Sequence, residues 1–242
     1  MIVRCDLHIH SDLSPCAEPD MTPGNIVGMA MVKGLQVIAV TDHQSCGNCR
    51  PAMALSEAIG GPLVIPGLEI ESAEEIHLLC LFPDLDAACQ IEKLIRGSMP
   101  KRANRPDIFG EQHYYDEQDN CIGIEEQLLL LPSSLSCDEI AQKVVACSGV
   151  CLPAHVDREA NSMLLILGSI PADFPTGWLE LSARADEPAL LRLHPEMAGY
   201  KRLRNSDAHR LPDLAEPGFP LEIPEFSPDQ EGRLKVIQAL RR

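Results

Sequence analysis

A chain of 242 residues, 45% hydrophobic and 23% charged, has the balance of a globular protein with a sizeable core, which excludes a disordered chain. Its formal charge of −16 repels polyanions, and the nearest basic clusters (Lys101, Arg102 and Arg105; Lys201, Arg202 and Arg204) form no stripe, so long duplex nucleic acid is not expected as a partner. The longest apolar stretch, Ile26 to Val40, is broken by Lys33, Gly34 and Gln36, and His8 and His10 fall where a secretory leader would be apolar, so one cytoplasmic domain over residues 1–242, with no membrane contact, is expected.

Ile2 to Ile9 alternates as a strand does, with Val3, Cys5, Leu7 and Ile9 on one face and Asp6, His8 and His10 on the other. Thr22-Pro23 supplies an N-cap and a first-turn proline for a helix that Gly34 can close. Leu35 to Val40 is a short apolar strand of the kind parallel sheets bury, and it ends in Thr41-Asp42-His43. A helix from about Arg50 to Ile59 follows, then a strand through Leu63 to Ile70 that carries Glu69. Ser72 to Glu75 can turn the chain into a returning strand, Ile76 to Phe82, which places His77 near Glu69.

Asp84 to Arg96 reads as a helix, whereas residues 97–124 lack periodicity and are expected to form a long loop or lid over a site. Ser136 with Glu139 forms a capping box for a helix to Cys147, and Val150 to Ala154 is a strand that ends at His155. Trp178 to Leu181 and Lys201 to Arg204 are two further strands, the second running into Asn205-Ser206-Asp207-Ala208-His209. Alternating strands and helices imply an α/β fold with a largely parallel sheet. Because ligand-type residues recur at the strand ends, a barrel is favoured over an open doubly wound sheet, since a barrel gathers those ends at one mouth.

Ten cysteines in such a protein read as free thiols, with Cys5, Cys80 and Cys151 acting as small hydrophobes. Cys46 and Cys49 form a CxxC that can bind metal or do redox chemistry, but no second CxxC stands at zinc-site spacing. Histidine is the commonest metal ligand, and an H-x-H on a strand brings both rings within reach of one ion, as with His8 and His10. His43, His77, His155 and His209 also fall at strand edges, Asp207 and His209 repeat the i, i+2 spacing, and Glu69 can bridge two cations. His113 and His194 read as surface or loop histidines. Such donors suit Zn²⁺, Mn²⁺ or iron rather than Mg²⁺ or Ca²⁺. Two such ions can clamp a phosphoryl group and acidify a water, which is hydrolysis without a protein nucleophile. No G-x-S-x-G, Walker A or G-x-G-x-x-G motif occurs.

Asp6-Leu7-His8-Ile9-His10-Ser11, Thr41-Asp42-His43, Gly67-Leu68-Glu69, Ile76-His77-Leu78-Leu79, Ala154-His155-Val156-Asp157-Arg158 and Ser206-Asp207-Ala208-His209 resemble, in order, the motifs of the PHP (polymerase and histidinol phosphatase) family. The resemblance spans residues 6–209 and implies a distorted (β/α)7 barrel with a metal site at the C-terminal mouth of its strands. It further implies two or three divalent ions and phosphoesterase activity through a metal-bridging hydroxide. The implied metal ligands are His8, His10, His43, Glu69, His77, His155, Asp207 and His209, and the implied catalytic residues are Glu69, Asp207 and Arg158, with Arg158 holding a substrate phosphate.

The sequence departs from the family pattern at Pro15, where an Asp or His ligand usually stands five residues after the second histidine of H-x-H. Asp12, Cys16, Glu18 or Asp20 can substitute from the same loop, or one ion is weak or absent. The expected activity is hydrolysis of a small phosphorylated metabolite or nucleotide. The alternatives are an exonuclease or nucleic-acid end-processing enzyme, C–N hydrolysis by an amidohydrolase-like barrel, and a non-catalytic metal-binding module.

Overall fold

The computed structural model describes residues 1–241. The strands are β1 (Ile2–Ile9), β2 (Val37–Val40), β3 (Leu63–Glu71), β4 (His77–Leu81), β5 (His113–Tyr115), β6 (Cys121–Ile124), β7 (Val150–Pro153), β8 (Trp178–Leu181), β9 (Lys201–Arg204) and β10 (Phe219–Glu222). The helices are α1 (Pro23–Val32), α2 (Cys49–Ile59), α3 (Leu85–Ser98), α4 (Pro106–Phe109), α5 (Cys137–Ala146), α6 (Met163–Leu167), α7 (Glu187–Leu193) and α8 (Gln230–Leu240). Local chemistry sets their ends. Thr22 accepts from Asn25 N at the start of α1, Ser136 and Glu139 form the capping box of α5, and Gly60 closes α2 in the left-handed conformation. No described helix is long and apolar enough to cross a membrane.

The main sheet has six strands in the order β10-β1-β2-β3-β4-β7 and curls into a half-barrel, while β8 and β9 form a separate parallel pair. The expected α/β fold holds, while the sheet is mixed rather than largely parallel and continuous strand pairing runs only from β10 to β7. β1, β2 and β3 are parallel, but β4 runs antiparallel to both β3 and β7, and β10 is antiparallel to β1. The short β3–β4 turn forces that reversal, because a parallel return needs a crossover of a dozen or more residues. The β8–β9 pair reaches the sheet through single backbone bonds, Val156 N to Glu180 O and His10 N to Ala208 O, both 2.9 Å.

Two apolar clusters lie on the two sides of the sheet. Val3, Cys5 and Leu7 pack with Val37, Ile65, Leu79, Leu152, Trp178 and Leu203 and with Val236, Ile237 and Leu240 of α8, so the strands meet one another on this inner side. Ile38, Val64, Leu68, Leu78 and Cys80 pack outward against Ile26 of α1, Ala52 of α2, Ile91 of α3 and Val144 of α5. Leu7 belongs to the inner cluster and Ile9 to the outer one, which corrects the strict alternation read for β1. A register shift between Asp6 and Ile9 accounts for it, since an extra residue reverses the facing of everything beyond it. That shift turns His8 and His10 to the inner side, which Glu69 shares with Ile65.

Gly67 lets β3 carry Glu69 so close to its neighbours. A Cβ there would meet Thr41 Cγ2 at 2.7 Å and the Cys80 carbonyl oxygen at 2.9 Å. Gly67→Ala is therefore expected to cost about 1–3 kcal/mol through overpacking, read by chemical denaturation. An unchanged midpoint would show that β2 and β4 can give way.

Candidate metal centre

Glu69 is the hub of the mouth. It is buried, and its oxygens lie 2.9 Å from His77 Nδ1 and His155 Nε2, 3.1 Å from His43 Nδ1, 3.3 Å from His10 Nε2 and 3.4 Å from His8 Nε2. Five imidazoles drawn from the ends of four strands, two of them from β1, thus face one carboxylate. Asp207 Oδ1 stands 3.1 Å from His10 Nε2 and 3.4 Å from His8 Nε2, and His209 stacks on His10 with ring centroids 4.2 Å apart.

Seven of the eight expected ligands fall in three overlapping clusters: His8, His10, Glu69 and Asp207; His10, His43 and His209; His43, Glu69 and His77. His155 lies in none of them but bonds the shared Glu69. His155 and Asp207 both have positive φ, 26° and 50°, a conformation that non-glycine residues hold only where the surroundings impose it and that is concentrated at functional sites.

The imidazoles are oriented by residues the sequence reading did not single out. His8 Nδ1 lies 3.0 Å from both oxygens of Glu180, and a carboxylate only accepts, so Nδ1 donates and Nε2 is left for the mouth. Glu180 is buried and also accepts from Asn205 Nδ2 at 2.7 Å and His155 N at 2.9 Å. Its available signal was a lone acid in the strand Trp178-Leu179-Glu180-Leu181, since acids are almost never fully buried unless paired. His10 Nδ1 meets Ser14 Oγ at 3.0 Å, and Ser14 donates onward to Asp42 Oδ1 at 2.7 Å. Asp42 further accepts from Ser11 N and Ser11 Oγ, at 2.7 and 2.6 Å. Asp6, on the strand with the H-x-H, ties down the last motif instead, accepting from Ser206 Oγ at 2.6 Å and Ala215 N at 2.9 Å.

These donors fit divalent ions. His8 Nε2 and His10 Nε2 stand 3.2 Å apart, close to the spacing of two nitrogens that share one ion at about 2.0–2.1 Å. Asp207 Oδ1 and His155 Nδ1 are buried without a hydrogen-bond partner, although such groups are nearly always satisfied.

The loop around Pro15 places its candidates differently. Asp12 is buried and bonded to His113 Nδ1 at 3.0 Å and to the Tyr115 hydroxyl at 2.9 Å. Exposed Glu18 pairs with Arg210, and Cys16 and Asp20 are exposed. None of the four joins a ligand cluster among the described residues. His113 is corrected from a surface residue to a largely buried one on β5, while His194 pairs with Glu196 and joins no cluster. Residues 97–124 fold into α4 and the β5–β6 hairpin, and the hairpin brings His113 and Tyr115 onto Asp12.

Charge at the mouth divides the histidines. Burial disfavours His10 as a cation, but Asp207 and Glu69 outweigh it and lift its pKa to about 9; Glu180, Asp207 and Glu69 likewise raise His8. Burial and the His10 cation lower His209 to about 4, and burial lowers His43. Glu69 and Asp207 are held low, against the cost of burial, by the surrounding imidazoliums.

The contribution of these histidines to the stability of the metal-free chain should accordingly be greatest near pH 6.5. Below that, an unfolded chain binds protons that folded His209 and His43 resist; above it, folded His10 gives up, through about pH 9, a proton that the unfolded chain has already lost. Melting of chelator-treated protein from pH 5 to 9 should trace a dome, and added metal should shift it upward in pH. A curve that rises steadily through this range would contradict the charge assignment.

No protein-family model matches the chain, and no curated protein sequence does. Among solved structures it is similar to a lesion-specific endonuclease from Pyrococcus furiosus, at a TM-score of 0.67 and 20% identity over 100% of this chain and 56% of that one. It is similar to Endonuclease Q in complex with a 27-mer duplex bearing an abasic lesion at the active site, at 0.67 and 22% over 99% of this chain and 57% of that one. A Bifidobacterium adolescentis protein provisionally named a metal-dependent phosphoesterase matches at 0.55 and 19%, over 85% of this chain and 87% of that one. The chain thus spans little more than half the length of the endonucleases it resembles.

The expectation of a small phosphorylated substrate, with long duplex nucleic acid set aside, is corrected by this comparison, because a protein of this fold was crystallised with a duplex at its active site. Net charge does not by itself exclude such a partner, for a physical reason. It averages the whole surface, whereas cations bound at a mouth become the largest local charges and invert its field. The chain has the fold of these hydrolases, and that fold supports the PHP-type recognition carried by its ordered motifs.

Proposed function

We propose that the chain is a metal-dependent phosphoesterase that hydrolyses nucleic-acid phosphodiesters. The carrying observation is the concentration of five imidazoles within 3.4 Å of Glu69, beside a buried Asp207 oxygen with no hydrogen bond. His8, His10, His43, Glu69, His77, His155, Asp207 and His209 would hold two or three ions of zinc, manganese or iron. Such ions, when bound, polarise a phosphoryl oxygen and lower the pKa of water toward about 7.

The chain's own groups orient and bind. Glu180 keeps the Nδ1 proton of His8 and the Ser14–Asp42 pair keeps that of His10, so both Nε2 lone pairs face inward. Arg158 pairs with Asp207 Oδ2 at 2.6 Å with its side chain 45% exposed, so its guanidinium can meet a substrate phosphate from the rim. Arg210, next to His209, is 56% exposed and offers a second cation. The duplex seated in the endonuclease of this fold supports a nucleic-acid substrate over a small one.

The test is strand scission of single-stranded and duplex oligonucleotides, with and without an abasic site, with Mn²⁺, Zn²⁺ and Fe²⁺ each supplied. Wild type should cut at least one, and His8→Ala should not. Intact strands throughout would refute the proposal, and release of an amine from an amide substrate instead would move the activity to C–N hydrolysis.

A further inference from the structure

The CxxC formed by Cys46 and Cys49 is split by the fold. Cys49 opens α2 and is buried, its Sγ donating to the Val40 and Gly67 carbonyls at 3.3 and 3.6 Å. Cys46 turns instead toward α3, where its Sγ lies 3.8 Å from Cys89 Sγ and 3.3 Å from Glu92 Oε2. Cys89 and Glu92 stand three apart on α3 and so share a face. The second carboxylate oxygen of Glu92 accepts from Ser45 Oγ and, at 3.3 Å, from Cys46 N, which fixes where Oε2 points.

Tetrahedral geometry can be compared with these distances. Two thiolates on one zinc at about 2.3 Å lie about 3.8 Å apart, and a carboxylate oxygen at about 2.0–2.2 Å lies about 3.5 Å from each sulfur. The observed 3.8 and 3.3 Å are close to both values. Cys89 is exposed, so a fourth position is open to water. A disulfide would instead need the sulfurs to close to about 2.0 Å and would leave the aligned carboxylate without a role.

We propose that Cys46, Cys89 and Glu92 form a second metal site, separate from the histidine centre, for a thiophilic divalent cation, zinc above all. Each thiol gives its proton to solvent as the ion binds. Because Cys46 follows His43 by three residues, the ion ties α3 to the loop that carries His43. The site stands whether or not the histidine centre cleaves nucleic acid.

Cobalt titration of the reduced, metal-free full chain tests it, since a thiolate-to-cobalt charge-transfer band in the near ultraviolet cannot arise from imidazole and carboxylate donors. Wild type, Cys16→Ser and His10→Ala should show the band. Cys89→Ser, altered at an exposed position, should lack it and bind one cobalt fewer per chain. Wild type that fills its histidine centre without the band, or Cys89→Ser that keeps it, overturns the proposal.

Discussion

Glu69→Gln should lower hydrolysis roughly 10²–10³-fold, the range expected for losing one preorganised electrostatic group, and should reduce the metal bound per chain. The change removes a charge with almost no change of shape, so packing around β3 is retained. What it removes is the group to which five histidines are turned, His77 and His155 at 2.9 Å and the others within 3.4 Å. Elemental analysis alongside rates separates the two effects. Full metal content with wild-type rates would show that Glu69 neither bridges ions nor shapes the field of the mouth.

Glu180→Ala should weaken metal binding about 10–100-fold, the usual cost of losing a group that orients a ligand. It should also destabilise the metal-free chain by about 3–5 kcal/mol, because breaking a buried pair leaves a charge uncompensated. Glu180 holds His8 through both oxygens and ties Asn205 and the His155 backbone to the same point, so its loss loosens three motifs at once. Glu180→Gln is the informative companion: its amide keeps the volume and one acceptor but lacks the charge that raises His8. If both variants bind metal and melt as wild type does, the orienting role is wrong.

Much of this site could be read along the chain, for a local reason. Ligand-type residues at the ends of short apolar strands are visible one strand at a time, and His8, His10, His43, His77, His155 and His209 each stand at such an edge. Helix starts were equally legible, because caps such as Ser136 with Glu139 act over three residues. Glu180 was hidden, since a lone acid in a strand means nothing until its partner, 172 positions away, is known. The CxxC did not reveal that Cys46 meets Cys89, because which way Cys46 turns depends on where α3 packs.

The sequence by itself determined the α/β class, most element positions and the set of imidazoles and acids, since these follow from periodicity, capping and residue chemistry within a few positions. The tertiary structure alone decided that the β8–β9 pair joins the six-stranded sheet only through single backbone bonds, that a register shift in β1 turns His8 and His10 inward, and that Cys46 meets Cys89. Those outcomes depend on how distant segments compete for the same space, and no local pattern carries that information.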